Sequence, residues 1–166
     1  MTTSGGCAAH LAAVIGRDRV TELSEYLQGR VSGEVRLGDR LARVALQDSC
    51  HLRNGLGVWR EPRALISAVA EYVELPGAAR CCGAAGTYAL VRPRDSRRVL
   101  DPKIDEIEAA GIDYVVAVNP GCLRQLRQGL RRRKSAVRAL HIAEFLRLAT
   151  VRSQPIIHDS TEVDCR

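Results

Sequence analysis

The run Tyr114-Val115-Val116-Ala117-Val118 narrows the fold of this chain more than any other segment. It is apolar at every position and bounded by Gly111 on one side and Asn119-Pro120-Gly121 on the other. A continuous apolar run of that length is the signature of a strand buried on both faces, as in parallel sheets covered by helices. Beyond the turn, Leu123, Leu126 and Leu130 recur on one face of a helix. The same unit appears elsewhere. Leu41–Leu46 reads as a strand leading to Asp48-Ser49-Cys50-His51. Glu61-Pro62 opens a helix with proline in its first turn, and Leu65, Ile66, Val69 and Val73 follow at helical spacing. Tyr72–Leu75 reads as a short strand broken by Pro76-Gly77. Asp101-Pro102 is expected to start a helix with aspartate as its N-cap, Ile104 and Ile107 on its buried face and Gly111 closing it. Val137–Leu140 is a last strand, and Ile142, Phe145 and Leu146 begin a final helix.

Strands alternating with helices predict an α/β fold with a Rossmann-like, mostly parallel sheet flanked by helices. Ligands in such sheets sit beyond the carboxyl ends of the strands. Cys50 follows one predicted strand, Cys81-Cys82 another and Cys122 a third. The cysteines are therefore expected on loops at the strand C-terminal ends, gathered at one rim.

The chain has 166 residues, 46% apolar and 27% charged, which fits one folded domain. Three parts are expected: a short helical preface over 1–32, the α/β unit over 33–150, and a loose tail over 151–166. No apolar run reaches the ~20 residues that span a bilayer. The first residues show neither a basic nor an apolar signal region, so the expected compartment is the cytosol. The net charge is +6 and mostly arginine. Its densest run, Arg131-Arg132-Arg133-Lys134, reads as a solvated helix end where cations suit the helix dipole. No aromatic residues interleave with it, so nucleic acid is not an expected partner.

Cysteines in a reducing compartment more often bind metal or do redox chemistry than form disulfides. Thirty residues separate Cys50 from Cys81-Cys82, and thirty-nine separate that pair from Cys122. Thiolates are soft ligands that suit iron–sulfur clusters and zinc. A vicinal pair rarely bridges to itself, because the ring is strained, but it can reach two metals of one cluster. Gly83 and Gly86 let the backbone turn tightly beside the pair. Cys122 is placed near a helix N-terminus, where backbone amides favour a thiolate. Cys7 says little by itself, and Cys165 reads as a free tail thiol. His51 adjoins Cys50 as a loop residue or a supporting donor. His10, His141 and His158 share no ligand spacing, and no zinc-type Cys-x-x-Cys or His-x3–5-His pattern occurs.

At these motifs the sequence resembles a known family. Asp48-Ser49-Cys50-His51-Leu52, Cys81-Cys82-Gly83-Ala84-Ala85-Gly86-Thr87-Tyr88 and Asn119-Pro120-Gly121-Cys122-Leu123 are similar to the motifs of the cysteine-rich "CCG" domain. That domain occurs in the glycolate oxidase iron–sulfur subunit, in lactate-utilisation proteins and in heterodisulfide reductase. The likeness runs from near Arg36 to Leu148 and follows the C-terminal part of the glycolate oxidase iron–sulfur subunit. Ser4-Gly5-Gly6-Cys7-Ala8-Ala9-His10 is similar to the element that closes a preceding CCG domain. Residues 1–32 would then be a remnant of such a domain, and Cys7 a further ligand.

The resemblance implies that Cys50, Cys81, Cys82 and Cys122 hold a [4Fe–4S]-type cluster, which is non-cubane in some members; in others the domain binds zinc. Gly83, Gly86, Gly121 and His51 would support the site. The implied role is electron carriage for a glycolate or 2-hydroxy-acid dehydrogenase. Its partners would be a flavin-containing dehydrogenase subunit and a ferredoxin-like iron–sulfur subunit, at the inner face of a membrane. Two alternatives stand: a heterodisulfide reductase-like thiol–disulfide module, and a zinc-binding or non-redox assembly module. The heterodisulfide branch carries Cys-x-x-Cys at the last motif, where this chain has Gln125. The ferredoxin motifs of the full glycolate oxidase iron–sulfur subunit and the first domain's own Cys-Cys-Gly are missing from this sequence. The expectation is a truncated paralogue, a split gene product or a prepared fragment.

Overall fold

The structure is a computed structural model that describes residues 1–149. The expected tail, with His158 and Cys165, lies outside the described residues. Helix α1 spans Gly5–Ile15 and α2 Leu23–Tyr26, and a short hairpin joins β1 (Arg36–Leu37) to β2 (Arg40–Leu41). Then follow β3 (Arg43–Gln47), α3 (Cys50–Leu56), α4 (Arg60–Ser67), β4 (Glu71–Tyr72), α5 (Tyr88–Val91) and α6 (Pro93–Ala109). The described part ends with β5 (Tyr114–Ala117), α7 (Pro120–Arg133), β6 (Arg138–His141) and α8 (Ile142–Leu146).

Four strands form one sheet in the order β4-β3-β5-β6, and every neighbouring pair runs parallel. This is the α/β fold the alternation predicts. Side-chain alternation sorts the core into two layers. Val44, Leu46, Tyr114 and Val116 face Leu52 of α3, Leu65 and Ile66 of α4, and Phe145 of α8. Ala45, Val115, Ala117 and Ala139 face Leu100, Ile104 and Ile107 of α6 and Leu126 and Leu130 of α7. The sheet is therefore covered on both faces, which explains why β5 is apolar throughout.

The chain leaves β3 by α3 and α4 over the first face to reach β4, then crosses back by α6 over the other face to β5. The direction of winding reverses between β3 and β5. In open α/β sheets such a switch leaves a crevice at the strands' carboxyl ends.

Three expectations need correction. Asp101-Pro102 does not start a helix; α6 begins at Pro93, and Pro102 lies inside it. An interior proline costs a helix about 3 kcal/mol. Here Leu100, Ile104 and Ile107, all 0–1% exposed, pack as one stripe that spans the proline, and tertiary burial outweighs the local penalty. The Asp101 carboxylate instead meets Arg132 of α7. The strand expected over Tyr72–Leu75 shrinks to Glu71–Tyr72, because β4 is an edge strand that the chain leaves for the loop towards Cys81. The helix read through Val73 stops at Ser67. Lys134 closes α7 in the left-handed region, φ 53°, so the basic run does sit at a helix end.

The start of α1 packs onto the sheet's carboxyl rim. The Gly5 amide donates to the Val118 carbonyl at 3.1 Å. A Cβ on Gly5 would lie 2.6 Å from Ser49 Oγ, so α1 and α3 touch closely because position 5 is glycine. Leu23 joins the core beside α4.

Helices α6 and α7 meet as closely. A Cβ on Gly129 would lie 2.7 Å from Ile104 Cδ1 and 3.1 Å from Leu100 Cδ2. Alanine gains about 1 kcal/mol in helix propensity over glycine, while overpacking costs about 1–3 kcal/mol. Gly129→Ala is therefore expected to destabilise the fold by about 1 kcal/mol, read as a lower urea midpoint. An unchanged or raised midpoint would show that Ile104 gives way freely.

Candidate metal centre

Each cysteine owes its position to an identifiable local device. The Ser49 hydroxyl accepts the Leu52 amide at 3.3 Å and caps α3, so Cys50 becomes the first residue of that helix and His51 the second. Pro120 takes the first position of α7, where its missing N–H costs nothing. Gly121 and Cys122 then fall in the first turn. These are corrections: Cys50, His51, Gly121 and Cys122 lie in helix first turns, not loops, because capping chemistry starts each helix before the cysteine. Cys81 and Cys82 remain on a loop.

That loop is fixed from three sides. Gln47 ends β3 with its side chain buried, 2% exposed. Its Nε2 donates to the carbonyls of Asp48, Ala78 and Arg80 at 2.9–3.1 Å, tying the cysteine loop to the end of β3. The Asp48 amide adds a bond to Ala78 O at 3.1 Å, and its buried carboxylate accepts from Arg53 and Arg63 at 2.5 and 2.7 Å. From α6, Glu106 accepts the Gly77 amide and Lys103 donates to the Gly77 carbonyl. From α7, Gln125 Nε2 donates to Ser96 Oγ at 2.6 Å, which donates to the Gly83 carbonyl at 2.8 Å. Gln125, at the position where another branch has cysteine, is thus a buried support for the turn.

Gly83 has φ +79°, and a Cβ there would lie 2.7 Å from the Ser96 carbonyl oxygen. Only glycine satisfies both the left-handed backbone and that approach. Gly86 also has positive φ, +59°, but faces open space. A Cβ on Gly121 would make an ordinary 3.6 Å contact with Ala84.

Cys82 and Cys122, forty residues apart in sequence, are both buried, and their sulfurs lie 2.8 Å apart in a hydrogen bond. Both are free thiols, and the separation exceeds the ~2.05 Å of a disulfide. Cys50 is half-buried and Cys81 exposed. The Gly83 amide donates to Cys81 Sγ at 3.3 Å. The four sulfurs sense one another electrically. Burial pushes the Cys50 thiol up, and the charges of Cys81 and Cys82 push it further. The hydrogen bond with Cys122 pulls the Cys82 thiol down to about 6 against its burial; the Ala84 amide and Lys103 assist. Cys122 is pushed up by the same partnership and by burial. The two shifts run in opposite directions because the two sulfurs share one hydrogen bond. The helix-end effect expected to favour a Cys122 thiolate is outweighed by the hydrogen bond with Cys82 and by burial.

His51 Nδ1 lies 3.6 Å from Cys50 Sγ, so it sits at the edge of the set. Cys7 is exposed on α1. Its helix reaches the same rim through the contacts of Ser4 with Asn119 and of Gly5 with Ser49, yet no contact joins Cys7 to the other four among the described residues. No three His, Cys, Asp or Glu groups there converge as a ready-made single-ion site.

The order of this rim follows the sheet: β3 delivers Cys50, β5 delivers Cys122, and the loop after β4 is tied between them. Over residues 44–127 the chain matches the family model described as "Cysteine-rich domain", CCG. The chain belongs to the CCG cysteine-rich domain family. Among its relatives, the probable glycolate oxidase iron–sulfur subunit of Bacillus subtilis (strain 168) is 41% identical over 62% of this chain and 24% of its own length. Lactate utilization protein A of the same organism is 33% identical over 78% of this chain and 55% of its own. Lactate utilization protein A 2 of Bacillus cereus (strain Q1) is 35% identical over 84% and 56%. The chain thus spans from about a quarter to somewhat over half of these relatives.

Four supporting residues of this CCG domain escaped the sequence reading, Gln47, Ser96, Lys103 and Glu106, and Asp48 was read as part of the Cys50 motif without a supporting role. A signal existed for two of them. Ser96 and Lys103 fall at helical spacing with Leu100 and Ile107, so two polar side chains stand in an apolar stripe. Gln47 is a polar end to a buried strand, which has no distinctive spacing.

Proposed function

We propose that Cys50, Cys81, Cys82 and Cys122 hold an iron–sulfur cluster of the [4Fe–4S] type, and that the chain carries electrons for a 2-hydroxy-acid dehydrogenase. The observation that carries this reading is the buried pair Cys82 and Cys122, 2.8 Å apart, at the rim where Cys50 follows β3 and Cys81 adjoins Cys82. The donor set fits such a group. It is all sulfur, and backbone amides point at Cys81 and Cys82. N–H···S bonds of this kind tune cluster potential. The exposed Cys81 and half-buried Cys50 leave one side of the site near the surface, which suits transfer to a docked partner.

When bound, such a cluster takes up and gives back single electrons. The chain's own residues do the rest. Gly83 and its Ser96–Gln125 support set the turn, Gln47 holds the loop to β3, and the apolar side chains behind Cys82 and Cys122 keep water from the inner sulfurs. Oxidation of the 2-hydroxy acid we assign to a flavin-containing partner, with a ferredoxin-like subunit as a further electron carrier. Cytoplasmic residence at the inner membrane face fits this role. No helix among the described residues is long and apolar enough to cross a membrane. The probable glycolate oxidase relative, named as an iron–sulfur subunit, supports the reading.

Anaerobic purification with iron, sulfide and zinc analysis and EPR tests it. Iron and acid-labile sulfide in equal amounts are expected, and EPR separates a cubane from a non-cubane cluster. Stoichiometric zinc without sulfide would overturn the proposal in favour of a zinc module. The short Cys82–Cys122 separation also favours a thiol–disulfide reading. Reduction of a mixed disulfide by the cluster-loaded chain would mark that activity.

A further inference from the structure

Cys82 and Cys122 stand at a separation that belongs to neither of the bonded states open to them. Each is 3% exposed, in the apolar layer with Ala78, Ala84 and Leu123, and their sulfurs are 2.8 Å apart. Two sulfurs on one tetrahedral metal, at metal–sulfur bonds of about 2.3 Å, lie about 3.8 Å apart. The contact must therefore open by about 1 Å before both can hold the same ion. A disulfide needs a smaller movement in the other direction, to about 2.05 Å. The two segments are already braced for the shorter move. Gln125 stands one turn beyond Cys122 on α7. It holds Ser96, which holds the carbonyl of Gly83, the residue after Cys82. Among the described residues, no other pair of cysteines shares a hydrogen bond: Cys81 accepts the Gly83 amide, and Cys50 meets His51.

We propose that Cys82 and Cys122 are a redox latch: in the metal-free chain a peroxide oxidises them to a disulfide that shuts the cysteine rim against metal, and a dithiol reductant reopens it. The disulfide stands on the sulfur contact itself; its effect on loading rests on the cluster reading above. Burial of both sulfurs favours a small oxidant over a bulky disulfide. Cys82, beside the exposed Cys81, is the sulfur that attacks. An S–O bond forms, the O–O bond breaks, and the thiol proton leaves with the departing hydroxide as water. Cys122 Sγ then attacks the sulfenic acid. The S–S bond forms, the S–O bond breaks, and a second water carries off the hydroxyl and the Cys122 proton. Two electrons pass from the sulfurs to the peroxide. A dithiol returns two hydrogens to the pair and becomes a disulfide itself. While the bond lasts, two of the four donors are no longer thiolates.

The test uses the full chain, stripped of metal by chelation, reduced without oxygen and then treated with stoichiometric hydrogen peroxide. Intact mass and tryptic mapping without reduction come first. The expected product is lighter by two hydrogens and joins the peptide of Cys81 and Cys82 to the peptide of Cys122. Trypsin leaves Cys81 and Cys82 in one peptide, so Cys81→Ser assigns the bond: it is expected to persist there and to be absent from Cys82→Ser. Oxidation at other cysteines alone, or a bond that Cys81→Ser removes, would overturn the inference. Metal uptake is read next, as cobalt(II)–thiolate absorption and as iron and sulfide after anaerobic reconstitution. The oxidised chain is expected to take up several-fold less of both than the reduced chain, and to recover after dithiothreitol. Equal uptake by the two forms would overturn the latch and leave the cluster reading standing. A reduced chain that binds cobalt but no iron and sulfide would overturn the cluster reading, and the latch would then stand or fall on the cobalt difference. A reduced chain that takes up neither would overturn both.

Discussion

A Cys82→Ser chain, purified without oxygen, is expected to contain no acid-labile sulfide and to give no cluster EPR signal. Cys82 is the buried sulfur with the most support: the Cys122 sulfur at 2.8 Å, the Ala84 amide and the nearby Lys103. Serine keeps the shape but replaces the soft ligand with a hard one that stays protonated near neutral pH. Cys81→Ser is expected to lose the signal as well. Cys7→Ser and Cys165→Ser are the controls expected to keep it. Cys7 makes no contact with the four sulfurs among the described residues, and Cys165 is the tail thiol outside them. A full signal in Cys82→Ser would refute the ligand assignment. Loss of the signal in Cys7→Ser would bring α1 into the ligand set.

Gly83→Ala is expected to be the most damaging change at a residue other than cysteine. Its backbone is left-handed at φ +79°, and the new Cβ would lie 2.7 Å from a backbone oxygen of α6. Left-handed strain of about 1–2 kcal/mol adds to overpacking of about 1–3 kcal/mol. The metal-free chain should lose about 3 kcal/mol of stability, measured by urea unfolding. Cluster content should fall several-fold, since the turn that aims Cys81 and Cys82 is lost. Gly86→Ala is the matched comparison. Its φ is also positive, but nothing lies within 4 Å of the new Cβ, so only the backbone strain of about 1–2 kcal/mol applies. Equal losses in the two variants would show that the close approach to Ser96 contributes nothing.

These predictions rely on different kinds of knowledge. Strand β5, helix α7 and the cysteine motifs are readable in the sequence because their signals are local. An unbroken apolar run, a proline at a helix start and a vicinal Cys-Cys-Gly each declare themselves within a few residues. The start of α6 is not readable that way. Asp101-Pro102 carries the local grammar of a helix start, yet Leu100, Ile104 and Ile107 bury as one stripe across it. Non-local packing overrides the local rule there.

The four cysteines follow the same division. That Cys50 and Cys122 directly follow β3 and β5 was legible in the sequence, since cysteines after apolar strand-like runs are a pattern of residue type and order. Which sulfurs meet was decided by the sheet. The order β4-β3-β5-β6 sets Cys122 beside a loop that closes forty residues earlier, and parallel pairing is a long-range choice that no short window encodes. The structure also chose the supporting cast. Gln47, Ser96, Lys103 and Gln125 take their roles from hydrogen bonds and charges that exist only once the helices are packed on the sheet.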